Sequence, residues 1–368
     1  MKTAFYDVHR SYGAKMVDFH GWEMPLHYTG IIDEHTNTRT NVGIFDVSHM
    51  GRFEVRGANS LDALQLLVTN DVAKLRNNQA LYSPMCYHTG GIVDDLIIYR
   101  INTEKFLVVV NASNREKDLE WIIQNSTSSS ASTSAEAAVV KNISDETVLL
   151  AVQGPLARNV LEEALIEGAN LDGLQPFELI ITNIFGTVCM VSRTGYTGED
   201  GFELFFDSSK TEIWDKLMDI GAKFDIKPAG LGARDTLRIE AGLMLYGNDI
   251  DENTTPLEAP LKWTVKLEKR EFIGKEALAT RKVDRKIVGF ELLEKRVARQ
   301  GNDVFLKDGQ DRKVGFVTSG TFSPTLRKSI GFCFVPLSIL PDQLIEINIG
   351  GKLYEAKVKS STRFYKRK

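Results

Sequence analysis

Near residue 280 the hydrophobic pattern of this chain changes period, and that change limits what the chain can fold into. Beyond it, IVGFEL (287–292), VGFVTSG (314–320), SIGFCFV (329–335), LIEINI (344–349) and KLYEAKVK (352–359) are short, often alternating apolar runs. Gly, Pro, Asp and Asn separate them, as expected for closely spaced strands of a small all-β barrel or sandwich. Before it, short apolar strands alternate with amphipathic helical patterns. The break follows EFIGKEAL (271–278). The expected fold class is α+β, with a body over residues 1–278 and a C-terminal β-barrel domain over residues 279–368.

Within the body, GRFEVRG (51–57) reads as a strand, and Ser60 is expected to cap a helix patterned by Leu61, Leu64, Leu67 and Val68. TVLLAV (147–152) reads as a second strand, Gly154-Pro155 as its turn, and LARNVLEEAL (156–165) as a helix. The shared order of strand, glycine and helix suggests two copies of one unit, intertwined in the body. FLVVV (106–110) precedes a helix over 114–123; strands return around 177–193 and 202–206, and a helix over 211–223 carries Trp214. The serine-rich QNSTSSSASTSAEA (124–137) holds too little apolar surface to offset its ordering entropy and is expected as an exposed loop.

Composition excludes several classes. The chain has 368 residues, a net charge of −4 and 43% hydrophobic residues, as in a globular protein of more than one domain. No apolar run approaches the roughly 18 residues of a membrane helix, and the N-terminus lacks the apolar stretch of a secretory signal. Cys86, Cys189 and Cys333 stand singly, without metal or disulfide spacing. A reducing compartment, the cytoplasm, is expected. The six histidines (9, 20, 27, 35, 49 and 88) form no HxH or HExxH, and no GxSxG is present, so neither a metal nor covalent catalysis is expected. Charge is uneven: residues 276–368 hold 19 basic and 10 acidic side chains, residues 1–275 hold 26 and 39. Lys295, Arg296 and Arg299 in EKRVAR are candidates to attract an acidic partner, against the plainer reading of a solvated surface.

Three segments could carry chemistry. In GGIVDDLIIYR (90–100) a Gly-Gly turn enters a strand with Asp94 and Asp95 at its centre. Alternation points the two carboxylates to opposite faces, one with Val93 and Ile97, the other with Ile92 and Leu96. Both faces are apolar, so at least one carboxylate requires a specific partner. In SRTGYTGEDGFELFF (192–206), Gly195, Gly198 and Gly201 surround Tyr196 in a tight loop that runs into a strand bearing Glu203. A strand follows, and no GK[ST], so this is not a nucleotide loop. In AGLGARDTLRIEAGLMLYGND (229–249), Arg234 and Arg238 share a helix face that suits an anionic ligand, unless Asp235 and Glu240 neutralise them.

Taken together with MVDFHGWEMPLHY (16–28), FDVSHMG (45–51), VVNASNREKDL (109–119), LLAVQGP (149–155), PAGLGARDTLRIEAGLMLYG (228–247) and TSGTFSPTL (318–326), these segments resemble the aminomethyltransferase family, the T-proteins of glycine cleavage, from end to end. The resemblance implies a compact three-domain arrangement around a folate pocket. It implies transfer of an aminomethyl-derived one-carbon unit from the lipoyl arm of an H-protein to tetrahydrofolate, a co-substrate, with release of ammonia and formation of 5,10-methylenetetrahydrofolate. By the same resemblance Asp95 lies beside the reacting N5, and Glu203 recognises the pterin. Tyr82, Asn111, Tyr196 and Met50 line the folate pocket, and Arg234 lies near the benzoyl-glutamate. Lys366, in Arg363-Phe364-Tyr365-Lys366, matches a folate-contacting cation; Arg363 stands where the family often has proline. The partners implied are the lipoylated H-protein and folate, with no nucleic acid or membrane. The alternatives are a tetrahydrofolate-dependent demethylase and a folate-binding iron–sulfur assembly factor. The intact Asp pair speaks for aminomethyl chemistry, and EFIGKEAL lacks the Lys-Gly-Cys motif of the assembly factors.

Overall fold

The computed structural model describes residues 1–126, 138–165, 171–307 and 312–367. Helix α1 (Tyr6–Ser11), the hairpin β1 (Lys15–Phe19) and β2 (Trp22–His27), α2 (Ile31–Thr40) and β3 (Val42–Asp46) lead into two runs of elements in one order. The first run is β4 (Gly51–Arg56), α3 (Ser60–Leu67), β5 (Gln79–Cys86), β6 (Ile92–Asn102), β7 (Lys105–Val110), α4 (Arg115–Ser126) and β8 (Val139–Asn142). The second is β9 (Thr147–Gln153), α5 (Ala157–Ala164), β10 (Leu179–Ile184), β11 (Thr187–Ser192), β12 (Gly201–Asp207), α6 (Glu212–Gly221) and β13 (Ile226–Pro228).

The two sheets are ordered β5-β6-β7-β4-β8 and β10-β11-β12-β9-β3-β13. Strand for strand these orders agree once β3 is set aside. β3 precedes both runs in the chain yet lies in the second sheet, antiparallel to β9 and parallel to β13, so the halves interlock. Two local expectations change. Ser60 is the first helical residue rather than the cap; its hydroxyl is buried without a partner among the described residues, and Asn59 holds the cap position. Helix α4 continues through Ser126 and so takes in residues 124–126 of the serine-rich stretch; residues 127–137 lie outside those described.

The strands are apolar on both faces because both faces are covered. On β7, Phe106, Val108 and Val110 pack outward against α3 and α4, whereas Leu107 and Val109 face inward. On β9, Val148, Leu150 and Val152 pack outward with Trp214 of α6, and Leu149 and Ala151 face inward. The inner faces of the two sheets meet in one core with Tyr99, Phe205 and, from α7 (Leu231–Ala241), Ala233 and Leu237. After α8 (Lys275–Thr280), β14 (Arg285–Leu292), β15 (Asp303–Leu306), β16 (Lys313–Ser323), β17 (Lys328–Pro336), β18 (Leu344–Ile349) and β19 (Lys352–Val358) close a barrel in the order β14-β17-β16-β15-β18-β19.

Side chains of TSGTFSPTL fasten this barrel to the body. The Arg238 guanidinium donates to Ser319 Oγ at 2.8 Å, Thr318 Oγ1 donates to Asp249 Oδ1 at 2.6 Å, and the Ser323 hydroxyl donates to Glu240. Apolar contact completes the join: Ile330, Phe332 and Phe334 on the outside of the barrel pack with Ile92, Ile239, Met244 and Leu278.

Candidate functional site

Where the inner faces of the two sheets diverge, they enclose a cavity of about 650 Å³, closed by α7 and the chain segment that follows it. Asp95 comes from β6, Asn111 from the end of β7, Glu203 from β12, Arg234 from α7 and Tyr196 from the glycine loop. The three glycines of that loop are needed for packing: a Cβ on Gly195 or Gly201 would fall 2.0 or 2.6 Å from the buried Gln153 side chain. The Gly-Gly turn before the aspartates has the same origin. A Cβ on Gly91 would lie 1.9 Å from the carbonyl oxygen of Glu252, in a segment that hydrogen-bonds the Ile92 N–H.

The two aspartates face opposite sides of β6, but not with the neighbours that strict alternation assigns. The β5–β6 register shifts between Met85 and Cys86, leaving Val93 as an extra residue. Val93 therefore packs outward with Leu96 and Ile98, not inward with Ile97. Asp94 is fully buried on the outer side and accepts the Asn111 backbone N–H at 2.9 Å and the side-chain amides of Asn111 and Asn114, each at 2.8 Å. Asp95 faces the cavity, where it accepts Tyr82 OH at 3.0 Å and Asn111 Nδ2 at 2.9 Å. Burial, then the charge of Asp94, pushes the Asp95 carboxyl up to about 7, against the pull of Tyr82 and Asn111.

Glu203 lies across the cavity. Its Oε2 accepts Tyr99 OH at 3.1 Å and the Thr194 hydroxyl, while Oε1 has no partner among the described residues. A carboxylate held by one oxygen, with the other unengaged, can accept paired N–H donors from a ligand. The Arg234 guanidinium stacks 4.5 Å from the Tyr196 ring and forms no ion pair among the described residues. Arg238 is different: Asp235 at 2.8 Å and Asp249 at 2.7 Å neutralise it, and it belongs to the barrel attachment. Glu240 pairs with neither arginine of its helix, but with Arg39 at 2.9 Å. Tyr196 OH donates to the Met244 carbonyl, and Met50 lines the wall.

Lys366 does not join these residues. The backbone N–H groups of Phe364 and Tyr365 both bond the Glu240 carbonyl, at 2.9 and 2.8 Å, and the Arg39 guanidinium stacks 4.0 Å from the Tyr365 ring. That anchoring holds the tail away from the cavity lining, with Lys366 exposed. Several lining residues were not singled out from sequence. Tyr99 follows Asp95 and Ile97 at strand period two, so its place beside the site was legible. Trp263, 59% exposed and stacked on Tyr82 at 6.1 Å, comes from a single 3-10 turn (Lys262–Thr264) too short to carry a periodic signal. His49 lies in the wall; burial, reinforced by Arg234, Arg52 and Arg115 against the pull of Asp46, pushes its ring down to about 3, so it is neutral. Among the described residues, no three His, Cys, Asp or Glu side chains are grouped to hold a metal.

Comparison with known proteins decides the family. The GCVT N-terminal domain matches residues 5–269, and the glycine cleavage T-protein C-terminal barrel domain matches residues 285–366. The chain belongs to the glycine cleavage T-protein family. An aminomethyltransferase of Thermotoga maritima is 48% identical over 361 residues, covering 97% of this chain and 96% of that protein. Another T-protein relative, the aminomethyltransferase of Halothermothrix orenii, is 48% identical over 338 residues and 91% of each chain. The crystal structure of glycine cleavage system aminomethyltransferase T from Bartonella henselae superposes with a TM-score of 0.90 at 32% identity, covering 100% of this chain and 98% of that one. The T-protein fold, an N-terminal GCVT body followed by a closed C-terminal barrel, is thus the fold of this chain.

Proposed function

We propose that this protein is the aminomethyltransferase of a glycine cleavage system, and that the cavity between its two sheets holds tetrahydrofolate against the aminomethyl-bearing lipoyl arm of an H-protein. The observation that carries the site reading is the pairing of Asp95 and Glu203 across one cavity, each with a different electrostatic setting. Glu203, fixed by Tyr99 and Thr194, offers Oε1 to the N–H and NH₂ donors of the pterin edge. Arg234 carries the positive charge that suits the benzoyl-glutamate end, and Tyr82 and Tyr196 supply ring faces along the cavity.

In the transfer, the carbon between sulfur and nitrogen on the arm loses both bonds and gains two bonds to folate nitrogens. The two N–H protons of the folate finish on ammonia and on the dihydrolipoyl thiol. Asp95 suits this exchange because burial places its carboxyl near neutrality. As a carboxylate it stabilises the positive charge that develops as ammonia leaves, and as an acid it can return a proton. The test is direct: mix the purified chain with aminomethylated carrier, with and without tetrahydrofolate, and measure ammonia. Folate-dependent ammonia release with matching methylenetetrahydrofolate supports the assignment; release that ignores folate removes it.

A further inference from the structure

Behind Asp95, away from the cavity, lies a third carboxyl that the transfer does not use. Asp118, on the inward side of α4, is fully buried and lies against Asp94. Both its oxygens are shut off from solvent, and among the described residues neither receives a hydrogen bond from an N–H or hydroxyl donor. A buried carboxylate in that position would be costly; a carboxylic acid would not, because it brings its own donor.

Asp94 has room for that donor. Its Oδ1 already accepts the side-chain amides of Asn111 and Asn114, and among the described residues its Oδ2 accepts only the Asn111 backbone N–H. One acceptor position on Oδ2 remains. Asn111, for its part, spends its side-chain nitrogen on both aspartates, bonding Asp94 Oδ1 at 2.8 Å, Asp95 Oδ1 at 2.9 Å and the Asp95 carbonyl at 3.1 Å. The chain of contacts runs from Asp118 to Asp94, to the amide of Asn111, to Asp95 at the cavity wall.

We propose that Asp118 is a neutral acid that donates its proton to Asp94, and that this acid–carboxylate pair is a positioning device that sets the Asn111 amide and, through it, the orientation and charge of Asp95. The other groups around Asp118 leave this assignment in place. Asp95 shares β6 with Asp94, Tyr87 and Tyr246 approach as phenols, and Lys117 is the cation nearest in sequence. The Lys117 ammonium is engaged elsewhere, donating to the Val93 carbonyl at 2.5 Å and to Tyr246 OH at 3.1 Å. Burial first, and Asp94 second, hold the Asp118 carboxyl well above the usual carboxylate range, in keeping with the geometry. Asp118 touches no reacting atom; it acts by keeping Asp94 correctly turned towards Asn111. A charged Asp94 in turn raises the value at which Asp95 ionises.

This inference rests on reading Asp95 as the carboxyl at the reacting centre, so its test separates the two. Infrared difference spectra of the full chain, carrying ¹³C-aspartate, are recorded at about pH 8.5, where the Asp95 carboxyl has ionised and no longer contributes a protonated-carboxyl band. A protonated-carboxyl band that disappears in Asp118→Asn supports the proposal; absence of that band in the wild type overturns it. Kinetics then read the positioning role. Asp118→Asn keeps an N–H donor for Asp94, so turnover stays within about threefold of wild type and the acid limb of its pH profile does not move. Asp118→Ala has no donor, so Asp94 is no longer held and the Asn111 amide between it and Asp95 loses its setting. Turnover then falls by about tenfold or more and the acid limb moves to higher pH, because the Asn111 bond that lowers Asp95 is loosened. Equal loss in both variants with an unmoved acid limb marks a merely structural carboxyl and overturns the proposal. If Asp118→Ala does not fold, the band and the acid limb of Asp118→Asn still decide. Full turnover in Asp95→Asn, by contrast, removes the reading of Asp95 and leaves the infrared result untouched.

Discussion

The hydroxyl of Tyr99 donates to Oε2 of Glu203 at 3.1 Å, and this single bond joins the inner faces of two sheets at the floor of the cavity. Tyr99 belongs to β6 and Glu203 to β12, 104 residues further along the chain. Edge contact between Tyr99 and Phe205, with ring centres 5.3 Å apart, holds the phenol in place. The carboxylate is thereby held by one oxygen while the other faces ligand.

Replacing Glu203 therefore tests recognition. Glu203→Ala is expected to weaken tetrahydrofolate binding by about 1.5–3 kcal/mol, the range for hydrogen bonds to a charged group. Calorimetric titration measures it, and an unchanged affinity places Glu203 outside the folate contact.

Asp95 tests chemistry. Asp95→Asn keeps the shape but can neither carry negative charge nor return a proton, so turnover should fall by more than about tenfold, or about 1.4 kcal/mol of barrier. Folate affinity should fall by less than the rate. Rapid-quench kinetics alongside titration separate the two effects; near-normal turnover at saturation removes Asp95 from the mechanism.

The position of Lys366 yields an expected silence. Because the tail is anchored to Glu240 and Lys366 is exposed away from the cavity, Lys366→Ala should leave tetrahydrofolate affinity within about twofold, as for other exposed charges. A larger loss in the same titration restores this lysine to the ligand site.

Acid should loosen the joint between body and barrel. Burial alone would raise Glu240, but His35, Ser323 and Arg39 outweigh it and hold the carboxyl down at about 2. Asp46 is likewise held at about 2, against burial, by His9, Ser48 and Thr3. Both values lie below those of the unfolded chain, so the stabilisation is present above about pH 4 and lost as pH falls towards about 2. Urea unfolding across this interval should show a steep fall in stability, and a shallower one in Glu240→Gln. Parallel slopes would separate Glu240 from acid stability.

The charge of the barrel bears on the carrier. Lys295 and Arg296 are exposed and form no ion pair among the described residues, although Arg296 lies 5.9 Å from the Tyr354 ring. Nearby, Gln300 donates to the Gly247 carbonyl at 3.0 Å, beside Tyr246 and Asn248 of the cavity lining. Reversing Lys295 and Arg296 to glutamate should raise the KM for an acidic carrier and flatten its salt dependence, with folate affinity unchanged. A wild-type KM that ignores salt counts against steering.

Much of this fold is local and could be read directly. Apolar alternation marked the barrel strands, and unbroken runs such as FLVVV and TVLLAV marked strands covered on both faces, because side-chain direction repeats every two residues along a strand. The Asp pair, Glu203 and Arg234 were legible as charges placed in apolar or helical settings that required partners. Their assignment to folate came from resemblance, since charge pattern alone does not name a ligand.

Only the tertiary structure decided which partners those charges found. Val93 is displaced by a bulge, which no alternation rule contains, and Arg238 is neutralised by Asp249 whereas Arg234, four residues earlier, stacks on Tyr196. Lys366 is kept out of the cavity by the backbone bonds of Phe364 and Tyr365 to Glu240, on a helix more than a hundred residues earlier. Asp118 looked like any acidic residue of an amphipathic helix until α4 packed it against Asp94. Local periodicity tells which face of an element is buried. What that face meets depends on chain segments brought together across a hundred residues or more, and so do the charge and hydrogen bonding of every group on it.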